Sequence, residues 1–201
     1  MGSIRTFDLR DAVARGFKTF VESGTLYGDG VDYALECGFE QVFSIEIDLT
    51  LAEKAANKYP FQDNVHIICG DSSIKIAELC KTIQGPAVFW LDAHFPGADA
   101  GIKPYDAQFE YDTKLPLEAE LNAIADRDGK DLVICDDLWI YEDGNFESGD
   151  FNTHCKNHGQ NMTKESICGK NLNHIYEKFS KTHKVTKNYK QQGFVIFAPL
   201  A

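Results

Sequence analysis

The sequence predicts an α/β domain built on a doubly wound, mostly parallel sheet, and three observations carry that reading. Short apolar runs alternate with segments of helical period along the chain. The run Ala87-Val-Phe-Trp-Leu91 is apolar throughout, as a parallel strand covered on both faces should be. Acids stand at or just past the ends of five successive runs, at Glu22, Glu46, Asp71, Asp92 and the pair Asp136-Asp137, on the edge where such sheets bind ligands.

Phe20-Val21-Glu22 is the first strand, followed by a glycine-rich turn and a helix with Val31, Ala34 and Leu35 on one face, stopped by Gly38. Val42 to Asp48 is the second strand, and Thr50-Leu-Ala-Glu53 reads as a capping box opening a helix that ends before Pro60. Val65-His-Ile-Ile-Cys69 is the third strand. Ser72 or Ser73 suits the cap of a helix carrying Ile76, Cys80 and Ile83. After the fourth strand, residues 94–114 show no period and read as a loop or insertion. Pro116 suits a first helical turn, with Leu117, Leu121 and Ile124 on one face, and Leu132-Val-Ile-Cys135 is the fifth strand. Residues 139–165 are again irregular. Leu172, Ile175, Tyr176 and Phe179 mark a helix, and Val185–Tyr189, a Gln-Gln-Gly turn and Phe194–Phe197 close the chain as an antiparallel hairpin.

With 201 residues, 43% hydrophobic and 25% charged, residues 1–201 suit one domain around one sizeable core. A net charge of -11 leaves no phosphate-neutralising surface, so neither nucleic acid nor an anionic membrane is an expected partner. No run of 18 apolar residues and no leader pattern at the start is visible, and a cytoplasmic protein is expected. Three of the six cysteines lie in or beside apolar runs, where they act as small buried hydrophobes more often than as disulfides. His154, Cys155, His158 and Cys168 lack zinc-ligand spacing, and a solvated loop is the favoured reading there.

The first turn, Glu22-Ser-Gly24-Thr25-Leu-Tyr-Gly28-Asp-Gly30, lets the backbone approach a ligand and opens a helix whose free N–H groups favour negative charge. A dinucleotide fingerprint fails, because Tyr33 stands where its third glycine belongs. Glu46 is placed to accept from both ribose hydroxyls of an adenosine, and Asp71-Ser72 to meet the adenine amino group. Capping of the next helix is the plain alternative for such acids, although it does not explain the Asp136-Asp137 doublet.

With these residues in order the chain resembles the class I S-adenosylmethionine-dependent methyltransferases from Phe17 to Ala201. The resemblance rests on the acid-x-Gly-x-x-x-Gly turn, Val42-Phe-Ser-Ile-Glu46, Asn64-Val-His-Ile-Ile-Cys-Gly-Asp71, Trp90-Leu-Asp92 and the closing hairpin. It implies a seven-stranded Rossmann-like sheet of order 3-2-1-4-5-7-6. It also implies a donor site at Glu22, Gly24, Thr25, Gly28, Gly30, Glu46, Asp71, Ser72 and Asp92. The turn without a middle glycine is similar to that of catechol-type O-methyltransferases. Those, like the macrocin-type sugar enzymes, carry a magnesium site, whose counterparts here are Asp92, Asp136 and Asp137.

Elementary chemistry adds to the resemblance. Adjacent fourth and fifth strands would gather three carboxylates, which either take up protons or bind a hard cation, Mg2+ or Mn2+. Such a cation would hold a substrate hydroxyl and lower its pKa. The alternative is a cap at Asp137 beside a solvated Asp92. The catalytic lysine of the catechol-type enzymes is replaced by Phe95, leaving His94 as the nearest base, next to Asp92, with Lys103 as a weaker option. The stretches 94–114 and 139–165 hold Phe95, Tyr105, Phe109, Tyr111, Trp139, Tyr141, Phe146 and Phe151 and are expected to form the acceptor pocket. Simple anchoring of the loops suits those aromatics equally well. The expectation is therefore a metal-assisted O-methyltransferase acting on a small-molecule acceptor, with a homodimer compatible. The alternatives are a metal-free N-methyltransferase or aminopropyltransferase-like enzyme, or an adenosyl-binding protein without turnover.

Overall fold

The computed structural model describes residues 4–160, 162–167 and 172–200. Five parallel strands, β1 (Thr19–Ser23), β2 (Gln41–Glu46), β3 (Val65–Cys69), β4 (Ala87–Leu91) and β5 (Leu132–Cys135), join a terminal hairpin of β6 (His183–Asn188) and β7 (Phe194–Pro199). The sheet order is β3-β2-β1-β4-β5-β7-β6, with β7 antiparallel to both β5 and β6. This is the order the resemblance implies. The strand order reverses at β1, which pairs with β2 on one side and β4 on the other, and the crevice of such a sheet opens at that switch.

Alternation along the strands builds two cores. Phe20, Val88, Trp90 and Ile134 face one side with Val31 and Ala34 of α2 (Asp29–Cys37) and Ala12 of α1 (Arg10–Ala14). Val21, Phe89, Leu91 and Val133 face the other with Ile76 of α4 (Ser72–Cys80), Leu121 and Ile124 of α6 (Leu117–Ala125) and Ile175 and Phe179 of α9 (Asn173–Phe179). All residues of β1 and β4 are buried, as strands covered on both faces must be.

Two caps differ from the sequence reading. The helix α3 (Leu49–Ala56) is capped by Asp48, whose carboxylate accepts from the Leu51 N–H, and Thr50 lies inside the helix. Helix α4 is capped by Asp71, which accepts from the Ser73 N–H, so Ser72 and Ser73 are its first residues. In both cases an acid one or two residues earlier serves as acceptor, because a carboxylate at the N-cap also answers the helix dipole.

Residues 94–114 form a loop ending in α5 (Tyr111–Lys114). The second stretch is more ordered than predicted: a 3₁₀ turn at Leu138–Ile140, α7 (Phe151–Asn157) and the start of α8 (Lys164–Ile167) lie in it. The solvated loop expected at 154–158 is therefore mostly helix, capped by Asp150 and seated by buried Phe151 and Cys155. Cys168 lies outside the described residues; the other five cysteines are unpaired. Among the described residues no helix is long and apolar enough to cross a membrane.

Candidate active site

A cavity of about 260 Å³ opens beyond the carboxyl ends of β1 to β5, at the switch point. Gly24, Leu26, Glu46, Asp71 and Ser72 line one part of it, and Asp92, His94 and Asp137 another. Residues from the two long connections complete the wall.

The glycine turn works by close approach. At Gly24, with φ +89°, a Cβ would stand 3.2 Å from the Asp92 carbonyl oxygen, so a side chain there would push β1 and β4 apart at the cavity floor. At Gly30 a Cβ would fall 1.7 Å from a carboxylate oxygen of Glu22. Glu22, Thr25, Gly28 and Gly30, expected to touch the donor, do not line the cavity. Glu22 turns back under α2 and is 3% exposed; it accepts from the Ser44 hydroxyl at 2.6 Å, which also bonds Thr25. Burial pushes the Glu22 carboxyl up to about 8, outweighing the Ser44 bond. These residues support the turn from behind.

Glu46 does line the cavity, and its two oxygens accept from the backbone N–H groups of Leu26 and Asp48, each at 2.9 Å. One acceptor position per oxygen remains, which fits a pair of ribose hydroxyls. Asp71 also reaches the wall, but protein groups engage both its oxygens: Ser73 takes Oδ1 and the Thr113 hydroxyl takes Oδ2 at 2.6 Å. Ser72 opens α4 beside it.

The acidic group assembles differently from the expected trio. Nitrogen Nε2 of His94 lies 2.6 Å from Asp137 Oδ2 and 3.8 Å from Asp92 Oδ1, and ligand atoms of these three residues lie within 4.8 Å of one another. Asp136 is not among them. Its Oδ1 accepts from the Asp137 N–H at 2.8 Å, while its Oδ2 is buried without a partner. Asp137 sits at φ +54° and makes no cap bond to the following turn, so the capping alternative is not realised. The set suits a divalent cation by donor type, and the orphaned Asp136 oxygen is a further unsatisfied acceptor next to it.

His94 does not keep the titration that made it a base candidate. Burial opposes its charge, yet the hydrogen bond to Asp137 and the charges of Asp137 and Asp92 outweigh that and push it up to about 10, so the imidazole holds its proton at neutral pH. Burial, with Asp136 nearby, raises Asp92 well above the carboxylate range, and burial lifts Asp136 to about 7.

Of the loop aromatics, Phe95, Tyr105, Trp139 and Phe151 line the cavity, whereas Phe109, Tyr111, Tyr141 and Phe146 do not. Lys103 also lies outside it, its ammonium over the Phe109 ring. The sequence reading missed His154 and Gln192. His154 is carried on α7 with its ring 4.8 Å from Trp139 and stacked on His158 at 4.1 Å, and desolvation followed by the His158 charge lowers its pKa. Gln192 enters from the hairpin turn, whose carbonyls at 192 and 193 hold the Leu138–Ile140 turn in place. Helical spacing from Phe151 to Cys155 was the available signal for the first; nothing local marked the second. A third, Glu120, is wholly buried beside Ser72 and Ser23, and burial, opposed by hydrogen bonding to those two serines, pushes it up to about 7.

No family model and no curated protein matches the chain. Solved structures do. A Podospora anserina methyltransferase solved with SAH bound aligns over 100% of this chain and 80% of its own at 14% identity and a TM-score of 0.64. A candidate caffeoyl-CoA O-methyltransferase from Staphylococcus aureus aligns over 100% and 85% at 16% identity and 0.56. A candidate rRNA methylase from Clostridium thermocellum aligns over 95% of both chains at 13% identity and 0.55. The fold is thus that of the class I S-adenosylmethionine-dependent methyltransferases, and the spread of these names shows that the fold alone does not set the acceptor.

Proposed function

We propose that this class I methyltransferase fold transfers the methyl group of S-adenosylmethionine to a hydroxyl of a small molecule, assisted by a divalent cation. The observation that carries the reading is one cavity with two chemistries: Gly24, Glu46 and Ser72 on the nucleoside side and Asp92, His94 and Asp137 beside it. Glu46 would receive the ribose hydroxyls, and Gly24, which has no side chain and lines the cavity beside Asp92, would let the methionine end lie against the turn. Asp92 and Asp137 would hold the cation, which supplies Lewis-acid polarisation of the acceptor hydroxyl when bound.

The remaining work falls to the chain. Phe95, Tyr105, Trp139 and Phe151 exclude water and orient a flat acceptor. His154, the imidazole on the wall whose pKa is lowered, takes the proton released as oxygen attacks the methyl carbon and the sulfonium leaves as a neutral thioether. A small acceptor is favoured over nucleic acid by the net charge of -11 and by a cavity lined, among the described residues, without lysine or arginine.

The test is incorporation of labelled methyl from S-adenosylmethionine across a metabolite library, with and without chelator. Chelator-sensitive transfer to a hydroxyl supports the reading. Equal transfer in chelator moves it to a metal-free methyltransferase, and donor binding without transfer to any acceptor moves it to a binding protein.

A further inference from the structure

We propose that His94 is itself a ligand of the cation, giving one nitrogen and two carboxylate donors, and that the site therefore selects a first-row transition ion over Mg2+. This rests on the cation reading above. The geometry centres on His94: its Nε2 is close to both Asp137 Oδ2 and Asp92 Oδ1, at 2.6 and 3.8 Å, so the three donors surround one point. Asp136, the more obvious third carboxylate by sequence, spends Oδ1 on the Asp137 N–H and stays outside the group.

The backbone supports the same grouping. Asp137 and Phe95, which follows His94, are both held at positive φ, +54° and +41°. Aspartate tolerates that region but phenylalanine does not, and such strain persists where surrounding contacts over-determine it. Here those contacts are Asp136 Oδ1 on the Asp137 N–H and the Lys114 carbonyl on the Phe95 N–H.

Chemistry then decides the ion. Binding of a cation would displace the imidazole proton, and two carboxylates with the imidazole then neutral carry a charge that matches a divalent ion. Magnesium takes oxygen ligands and retains its waters, whereas imidazole favours first-row transition ions. Held by these three side chains, which line the cavity, a cation would supply Lewis-acid polarisation to the acceptor oxygen.

The experiment uses the full chain with Mn2+ and Mg2+ as probes and no methyl acceptor. Calorimetry should give Mn2+ an affinity at least about tenfold above that of Mg2+, and pulsed EPR of the bound Mn2+ should show nitrogen hyperfine modulation. His94→Gln should remove the modulation and weaken Mn2+ about tenfold or more while Asp136→Asn leaves the modulation in place. The wild-type spectrum alone decides the matter if a variant fails to fold. Bound Mn2+ without nitrogen modulation overturns the proposal and leaves the cation reading standing; absence of Mn2+ binding overturns both and leaves the methyl-donor reading untouched.

Discussion

The carboxylate of Glu46 accepts a 2.9 Å hydrogen bond from the backbone N–H of Leu26, a residue held at φ +47°. A leucine in the left-handed region is strained, and the bond ties the end of β2 to the turn after β1. Glu46 thus shapes the cavity wall that it also lines. Glu46→Ala should weaken S-adenosylmethionine binding by roughly ten- to a hundredfold, as loss of charged hydrogen bonds worth about 1.5–3 kcal/mol implies. Glu46→Gln, which keeps one acceptor oxygen for Leu26, should fall between. Calorimetry on folded variants checks both, and unchanged affinity in Glu46→Ala would remove the residue from the donor site.

Glu22 predicts a pH dependence of stability. Its carboxyl, raised by burial from 4.5 to about 8, keeps a proton in the folded state that the unfolded chain has already lost. Stability from this group is therefore greatest below pH 4.5 and falls as pH rises toward about 8. Glu22→Gln carries no such titration. Its Tm should exceed that of the wild type by a margin that widens across this window, each kcal/mol appearing as about 2–4 °C. Parallel Tm curves for the two proteins would show that Glu22 is ionised in the fold.

Removing the last strand should abolish folding. Phe194, Val195 and Phe197 are buried, and β7 is paired on both sides, by β5 and β6. A chain ending at Gln192 would open the β5 edge and expose both cores. A cooperative melt from that truncated chain would contradict this.

The sheet was legible because its signals are local: uninterrupted apolar strands, helical spacing, and turns marked by glycine. The antiparallel hairpin was legible for the same reason. Helix starts were less so, since Asp48 and Thr50 are both good caps in sequence and only the chain direction after β2 decides for Asp48. The site was legible as a set of strand-end acids, but not in its grouping. That His94 and not Asp136 stands with Asp92 and Asp137 depends on the backbone course after β4 and β5, which side-chain chemistry does not reveal. The course of Glu22 under α2 was not legible, because it depends on the space that Gly30 leaves for its carboxylate. His154 and Gln192 reach the cavity only through the tertiary docking of α7 and the hairpin turn.

His154 supplies the last prediction. Desolvation, then the neighbouring charge of His158, lowers its pKa below the ordinary 6.5, and Asp137 opposes this only in part. The ring is thus neutral and able to accept a proton at pH 7, and loses that ability as pH falls through its lowered pKa. With an acceptor in hand, kcat should decline on the acid side with a midpoint below 6.5. His154→Gln keeps a polar side chain on the wall but removes the base; kcat should drop by about 10²–10⁴-fold, and the acid limb should vanish. Donor affinity should be unchanged, since His154 lies on α7 and the nucleoside wall comes from β1 to α4. A variant that keeps the acid limb at wild-type height would show that the proton leaves by another route.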